Sequence, residues 1–351
     1  MRTIVARAPA KAILLGEHAV NRGAMALAVS VGLYARCTVS TMSSATGGYT
    51  LRGAGCQETV TREQITGLGA TVDGWRASEQ YGAIQSLAAT DFFSPTKYVL
   101  AALRDALPRS MDVTFDTEIP ASSGLGSGGA TFVAVATAAA RLLDLNADPR
   151  QIAAWAKRGD MVAHGGIASG LDTQTSLYGG VIRYTADVEG QAITYCPGLC
   201  LVIGNTGVVA ATSEVNSRVR QWLAERPTRI HYLREIGLLA RHAEAALRDG
   251  VWVELGHLMN LNQLILERMG VSCPELERLI DAALGAGALG AKLSGSGGGG
   301  IMIALVTPDI VERVAAAIAG AGGTPVVVPV GVAGVEVERS APACPSRASS
   351  I

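Results

Sequence analysis

Residues 120–130, Pro-Ala-Ser-Ser-Gly-Leu-Gly-Ser-Gly-Gly-Ala, constrain the fold more than any other stretch of this chain. They follow MDVTFDTEI (111–119), whose alternation predicts a strand, and precede the apolar, alanine-rich run near 130–143, which predicts a helix. Such a loop exposes successive backbone N–H groups where a helix N-terminus adds partial positive charge, so it makes a cradle for an anion. Glycine lets phosphate oxygens approach the backbone with no Cβ in the way. The loop is not a Walker A motif, because no Lys-Ser/Thr pair follows its glycines. It does match G-x-G-x-x-G at Gly124, Gly126 and Gly129. In a dinucleotide fold, however, the glycines follow the strand directly and an acidic residue ends the next strand. Here EIPASS intervenes and the segment around Asp148 predicts helix. A tight structural turn is the plain alternative for the loop taken alone.

Three further segments carry polar chemistry. Lys11-Ala-Ile-Leu-Leu-Gly16-Glu17-His18 places a cation, a carboxylate and an imidazole around a predicted strand. His164-Gly-Gly-Ile-Ala-Ser169-Gly170-Leu171-Asp172 sets an acid after a glycine loop. That acid suits either a helix N-cap over 173–177 or a general base reaching a substrate hydroxyl. Lys292-Leu-Ser294-Gly295-Ser296-Gly297 opens a second glycine loop ending in four consecutive glycines, a costly choice unless the backbone must pass something closely.

Composition removes several classes. The formal charge is −1 with both signs interspersed, and only four Phe and four Trp are present, so neither a polyanion field nor an aromatic base platform is expected. Nucleic acid is not expected as a partner on these grounds. The cysteines (Cys37, Cys56, Cys196, Cys200, Cys273, Cys344) form no CxxC pair and read as reduced thiols. MRTIVARAPAKAILLGEH lacks the uninterrupted apolar core of a signal peptide, and no run of 18 apolar residues occurs. A cytoplasmic protein without a membrane partner is expected. Oligomeric state stays open, a homodimer included.

Length allows two domains. Short strands are predicted at 3–6 and 12–15 around Pro9, then 27–40, with a loop-rich hairpin region over 43–91. A helix is predicted from Ser94-Pro95 to about 106, and another from Pro149 to about 164. Strands follow at 180–185 and 199–205, then long amphipathic helices near 212–224, 230–249, 251–268 and 274–286. An apolar strand after 300, a helix near 309–320 and Val-rich strands at 324–329 and 332–338 complete the pattern. The change of texture near 186–198 divides an N-terminal domain (1–190) from a C-terminal one (191–340), with a frayed tail at 341–351.

The order PxKAILLGEHAV, PASSGLGSGGA, HGGIASGLD, AKLSGSGGGG resembles that of the GHMP kinases. GEHAV followed by RGAMALAV is most similar to the mevalonate kinase branch, as are Asn205-Thr206, Asn262-Gln263 and GVSCPELERLI (270–280). The resemblance covers roughly residues 4–306. It implies an α+β fold, with an N-terminal domain like domain 2 of ribosomal protein S5 and a ferredoxin-like C-terminal domain. It implies ATP as phosphoryl donor and Mg²⁺ as cofactor. Asp172 then matches the family's base, taking the proton of the mevalonate 5-hydroxyl, and Lys11 the cation beside it. Glu17, His18 and Ser169 match acceptor-holding positions. Ser123, Gly124, Leu125, Gly126, Ser127, Gly128 and Gly129 match the phosphate loop, and Gly295 and Gly297 the loop that closes over the nucleotide.

Departures concern the metal. The family's loop reads GLGSSAA, and its second serine, a metal ligand, corresponds to Gly128. The family's metal-binding glutamate corresponds to Asp160, one methylene shorter. Ser127 is the hydroxyl left to serve with Asp160, and water replaces missing ligands readily around Mg²⁺. Ala168 stands where the family carries a proline. Two rivals remain: the same chemistry on phosphomevalonate or a sugar, and a nucleotide-binding homologue without catalysis.

Overall fold

The structure, a computed structural model, describes residues 2–41, 47–120, 123–186, 188–209 and 212–338. The chain opens with two long strands, β1 (Thr3–Leu15) and β2 (Ala26–Thr41). Pro9 does not split β1 as expected. Its ring takes a position opposite Tyr34, and a register shift between Pro9 and Ala10 absorbs the irregularity.

Over 48–90 the structure corrects the sequence reading. A hairpin is present, β3 (Gly48–Gly53) and β4 (Cys56–Val60), but two helices follow, α1 (Arg62–Ala77) and α2 (Tyr81–Thr90). Thr61 and Gln64 close a reciprocal capping box at the start of α1. Ile65, Gly69 and Val72 form its buried stripe. Three glycines within α1 dilute the helical signal, yet Gly69 is needed. A Cβ there would come within 2.6 Å of the Ala101 Cβ on α3 (Ser94–Ala101).

Next come β5 (Ser110–Thr117), α4 (Ser127–Leu142), α5 (Pro149–Ala163), α6 (Leu171–Tyr178), β6 (Val181–Thr185) and β7 (Val188–Ile193). The first sheet runs β1-β2-β5-β3-β4. One end of β2 also pairs β6, which pairs β7. β3 lies parallel to β5; the other pairs here are antiparallel. Helix α4 is buried along almost its whole length, and its alanines let it lie close on β1 and β2. The end that follows the glycine loop is thereby fixed in space.

The second half contains β8 (Leu201–Asn205), α7 (Thr212–Glu225), α8 (Ile230–Asp249), α9 (Trp252–Arg268), α10 (Pro274–Gly285), β9 (Gly290–Ser294), β10 (Ile301–Leu305), α11 (Val311–Gly320) and β11 (Thr324–Val326). These strands form an antiparallel sheet, β11-β8-β10-β9, covered by α10 and α11. The last strand, β12 (Glu336–Glu338), leaves this sheet and pairs with β1. The main hydrophobic core is continuous between the halves, joining Leu14, Val29 and Val135 to Ile203, Leu255 and Ile301. No described helix is long and apolar enough to cross a membrane.

Candidate active site

A cavity of about 540 Å³ opens where the two sheets meet. Its floor is Lys11, near the middle of β1, and Asp172, in the first turn of α6. Lys11 Nζ stands 3.3 Å from Asp172 Oδ1 and donates to the Gly124 carbonyl at 2.9 Å. The lysine is 3% exposed and the aspartate 21%, so the carboxylate is the member presented to solvent. The helix cap of α6 is Gly170, not Asp172, which leaves that carboxylate available for chemistry.

The glycine loop meets this pair through bare backbone. Gly126 has φ +73°, and a Cβ there would lie 2.9 Å from Lys11 Cγ and 3.4 Å from Asp172 Oδ2. Gly129 passes the Asp172 backbone so closely that a Cβ would reach 2.8 Å from Asp172 Cβ. Helix α4 begins at Ser127 without a side-chain cap, so the N–H groups of its first turn need an acceptor at this wall. The arrangement fits a phosphate chain.

Most residues nominated from the sequence gather here. Ser123, Gly124, Gly126, Ser127, Gly128, Gly295, Gly297, Glu17, His18, Ser169 and Asp160 border the cavity. Leu125 and Gly129 do not. Leu125 is buried and lends its carbonyl to the Lys11 N–H at 2.9 Å, while Gly129 serves the close passage just described. The Ser123 hydroxyl is spent on the Pro120 carbonyl, 2.7 Å away. The Ser169 hydroxyl accepts from Leu171 N–H at 3.2 Å and steadies the turn before Asp172.

Asp160 fits a cation ligand. It is 2% exposed, yet its Oδ1 receives no hydrogen bond. His164 Nδ1 lies 3.2 Å from that oxygen but bonds the Asp160 carbonyl at 2.9 Å. Burial opposes charge on the His164 ring. Asp160 and Asp172 together overcome it and raise the imidazole to about 9. Gly128 faces the same carboxylate: a Cβ built on it would stand 3.7 Å from Asp160 Oδ1. The two departures in the sequence therefore adjoin in space. Asp160 and Ser127 are the residues present that would hold Mg²⁺.

Other residues were missed. Lys292, assigned no role from sequence, is wholly buried against Glu17. Burial drives Glu17 up and Lys292 down from their usual ranges, each resisted by the other's charge. His18, at φ +59°, turns its ring to the Ser296 carbonyl at 2.9 Å. Burial lowers this imidazole to about 4, so it is neutral near pH 7. Thr212, Ser213 and Asn216 of α7 also reach the cavity, a contribution no local motif announced.

Comparison with known proteins matches these features. The model of the GHMP kinases N terminal domain covers residues 95–180 and that of the GHMP kinases C terminal covers 243–323. The mevalonate kinase of Thermococcus onnurineus (strain NA1) is 32% identical over 97% of this chain and 99% of its own length. L. major mevalonate kinase, solved in complex with R-mevalonate, superposes with a TM-score of 0.69 at 26% identity, covering 90% of each chain. Lactococcus lactis galactokinase, complexed with galactose, shares the fold, with a TM-score of 0.75 at 18% identity over 95% of each chain. The α+β architecture is the GHMP kinase fold that the motif order implied. With both domain models matched and a curated relative aligned along nearly its full length, the chain belongs to the GHMP kinase family.

Proposed function

We propose that this protein is an ATP-dependent kinase that phosphorylates the 5-hydroxyl of (R)-mevalonate, giving 5-phosphomevalonate for isoprenoid precursor synthesis. The observation carrying the chemistry is the Lys11–Asp172 pair, 3.3 Å apart against the glycine loop. The acceptor rests on the mevalonate kinases that align along the chain.

In this reading Asp172 takes the hydroxyl proton as the O5–P bond forms and the bond to the ADP oxygen breaks. Lys11, fixed by the Gly124 carbonyl, stabilises the developing alkoxide and the charge on the transferred group. Backbone N–H groups at the start of α4 bind the donor's phosphate oxygens. Mg²⁺, when held by Asp160 and Ser127, supplies charge neutralisation at the phosphates. Catalysis is chiefly positioning. His18 and Ser169 border the acceptor, and the loop of Gly295 and Gly297 adjoins His18 through the Ser296 carbonyl.

The domain division belongs to the same reading: 1–190 carries the phosphate loop and base, and 191–340 the second glycine loop. The enzyme would act in the cytoplasm on small molecules. Incubating the protein with ATP, Mg²⁺ and, separately, mevalonate, phosphomevalonate and galactose tests it. Turnover with mevalonate supports the reading. Turnover confined to another acceptor, or ATP binding with no transfer, contradicts it.

A further inference from the structure

Two ion pairs stand at the cavity, one wholly buried and one open to it. Lys292 meets Glu17 with both side chains at 0% exposure, and Lys11 meets Asp172. Lys11, Glu17 and Asp172 line the same cavity, and Lys11 and Glu17 lie six positions apart along the chain. Two contacts and one shared cavity join plus, minus, plus and minus, from Lys292 and Glu17 to Lys11 and Asp172.

Lys292 has little freedom. Its strand is held between β10 and α9, where Asn260 accepts from Ala291 N–H at 2.9 Å and Gln263 from Leu293 N–H at 3.0 Å. Its ammonium also donates to the Leu293 carbonyl at 2.5 Å. Glu17, after β1, has one oxygen on Lys292 and the other, Oε2, buried with no partner. A carboxylate so placed would draw any cation within reach, and Lys11 lines the same cavity as Glu17. Apolar pairs of similar volume often stabilise a fold as well as buried ion pairs do, so stability is a weak reason for the arrangement.

We propose that Lys292 is a positioning residue for phosphoryl transfer: it satisfies Glu17, so that Lys11 is left to Asp172 and the reacting hydroxyl. Glu17 is then an internal counterion and not a ligand of the acceptor. The inference rests on the reading of Lys11 and Asp172 as the reacting pair.

The test compares wild type, Lys292→Met and the double variant Glu17→Gln/Lys292→Met, using whichever alcohol the wild type phosphorylates. A wild type inert toward mevalonate counts against the acceptor reading alone, since the comparison among variants is a ratio of rates. Lys292→Met should lower kcat about 100-fold while KM for ATP moves less than about threefold, because Lys11 is diverted and the nucleotide cradle is not. In the double variant no buried anion competes for Lys11, and kcat should return to within about tenfold of wild type. A purely structural pair gives a different pattern: activity lost in Lys292→Met follows the folded fraction by circular dichroism, and kcat per folded enzyme stays at the wild-type value in both variants. Lys292→Met within about threefold of wild-type kcat, or a folded double variant no faster than the single one, overturns the proposal. So does a double variant of normal kcat whose KM for the acceptor rises more than about tenfold, which would return Glu17 to the acceptor. If Lys292→Met does not fold, the double variant decides: a folded protein with kcat about 100-fold below wild type overturns it.

Discussion

Lys11 Nζ and Asp172 Oδ1 stand 3.3 Å apart, with Gly126 and Gly129 so close that neither accepts a Cβ without displacing one of the pair. In the proposed reaction Asp172 is the proton acceptor. Asp172→Asn keeps the shape and removes the basic oxygen. It should lower kcat by about 10²–10⁴-fold while ATP affinity by calorimetry stays near the wild-type value.

Gly126→Ala probes the cradle. The new methyl would crowd Lys11 Cγ and Cε at 2.9–3.0 Å, on a backbone with φ +73°. A cost of about 1–2 kcal/mol in urea unfolding is expected. A fall in kcat larger than that in stability would show that Lys11 has moved.

Position 128 offers the reverse change. A Cβ there stands 3.4 Å from the Phe132 ring and 3.7 Å from Asp160 Oδ1, so serine fits with little adjustment. Gly128→Ser should tighten Mn²⁺ binding in the presence of ATP, followed by electron paramagnetic resonance, by roughly tenfold. Unchanged affinity would place the cation away from Asp160.

The first two motifs and the base loop were legible because each is local: a strand or helix end, glycines, and one polar group. The long-range pairing was not. Lys292 and Glu17 are 275 positions apart, and a single lysine in the run AKLS carries no signal of its partner. Helix α1 was obscured by Gly67, Gly69 and Gly74, each unfavourable in a helix, and only Gly69 has a packing reason, its close approach to Ala101 of α3. The return of β12 to β1 was equally hidden, since three residues hold too short a pattern to choose a sheet.

His18 gives a pH dependence with a definite sign. Its folded-state value of about 4 lies below the ordinary 6.5, so the unfolded chain binds the proton more readily. Its contribution is complete above pH 6.5, falls as pH drops toward 4, and amounts to about 3 kcal/mol over that window. His18→Asn keeps a residue tolerant of positive φ and removes the titration. Urea unfolding between pH 7 and 4 should show a shallower loss in the variant than in wild type. Parallel curves would mean the ring is not held neutral.

Central to the account is transfer from ATP to one alcohol, with Asp172 as base. Phosphorus NMR of the protein with ATP, Mg²⁺ and (R)-mevalonate follows that transfer directly. Loss of the γ-phosphate signal should be matched by an equal phosphomonoester signal on mevalonate, and both should be slowed at least about 100-fold with Asp172→Asn. Phosphomevalonate formed at an undiminished rate by Asp172→Asn, or ADP appearing with inorganic phosphate alone in the wild type, would contradict it.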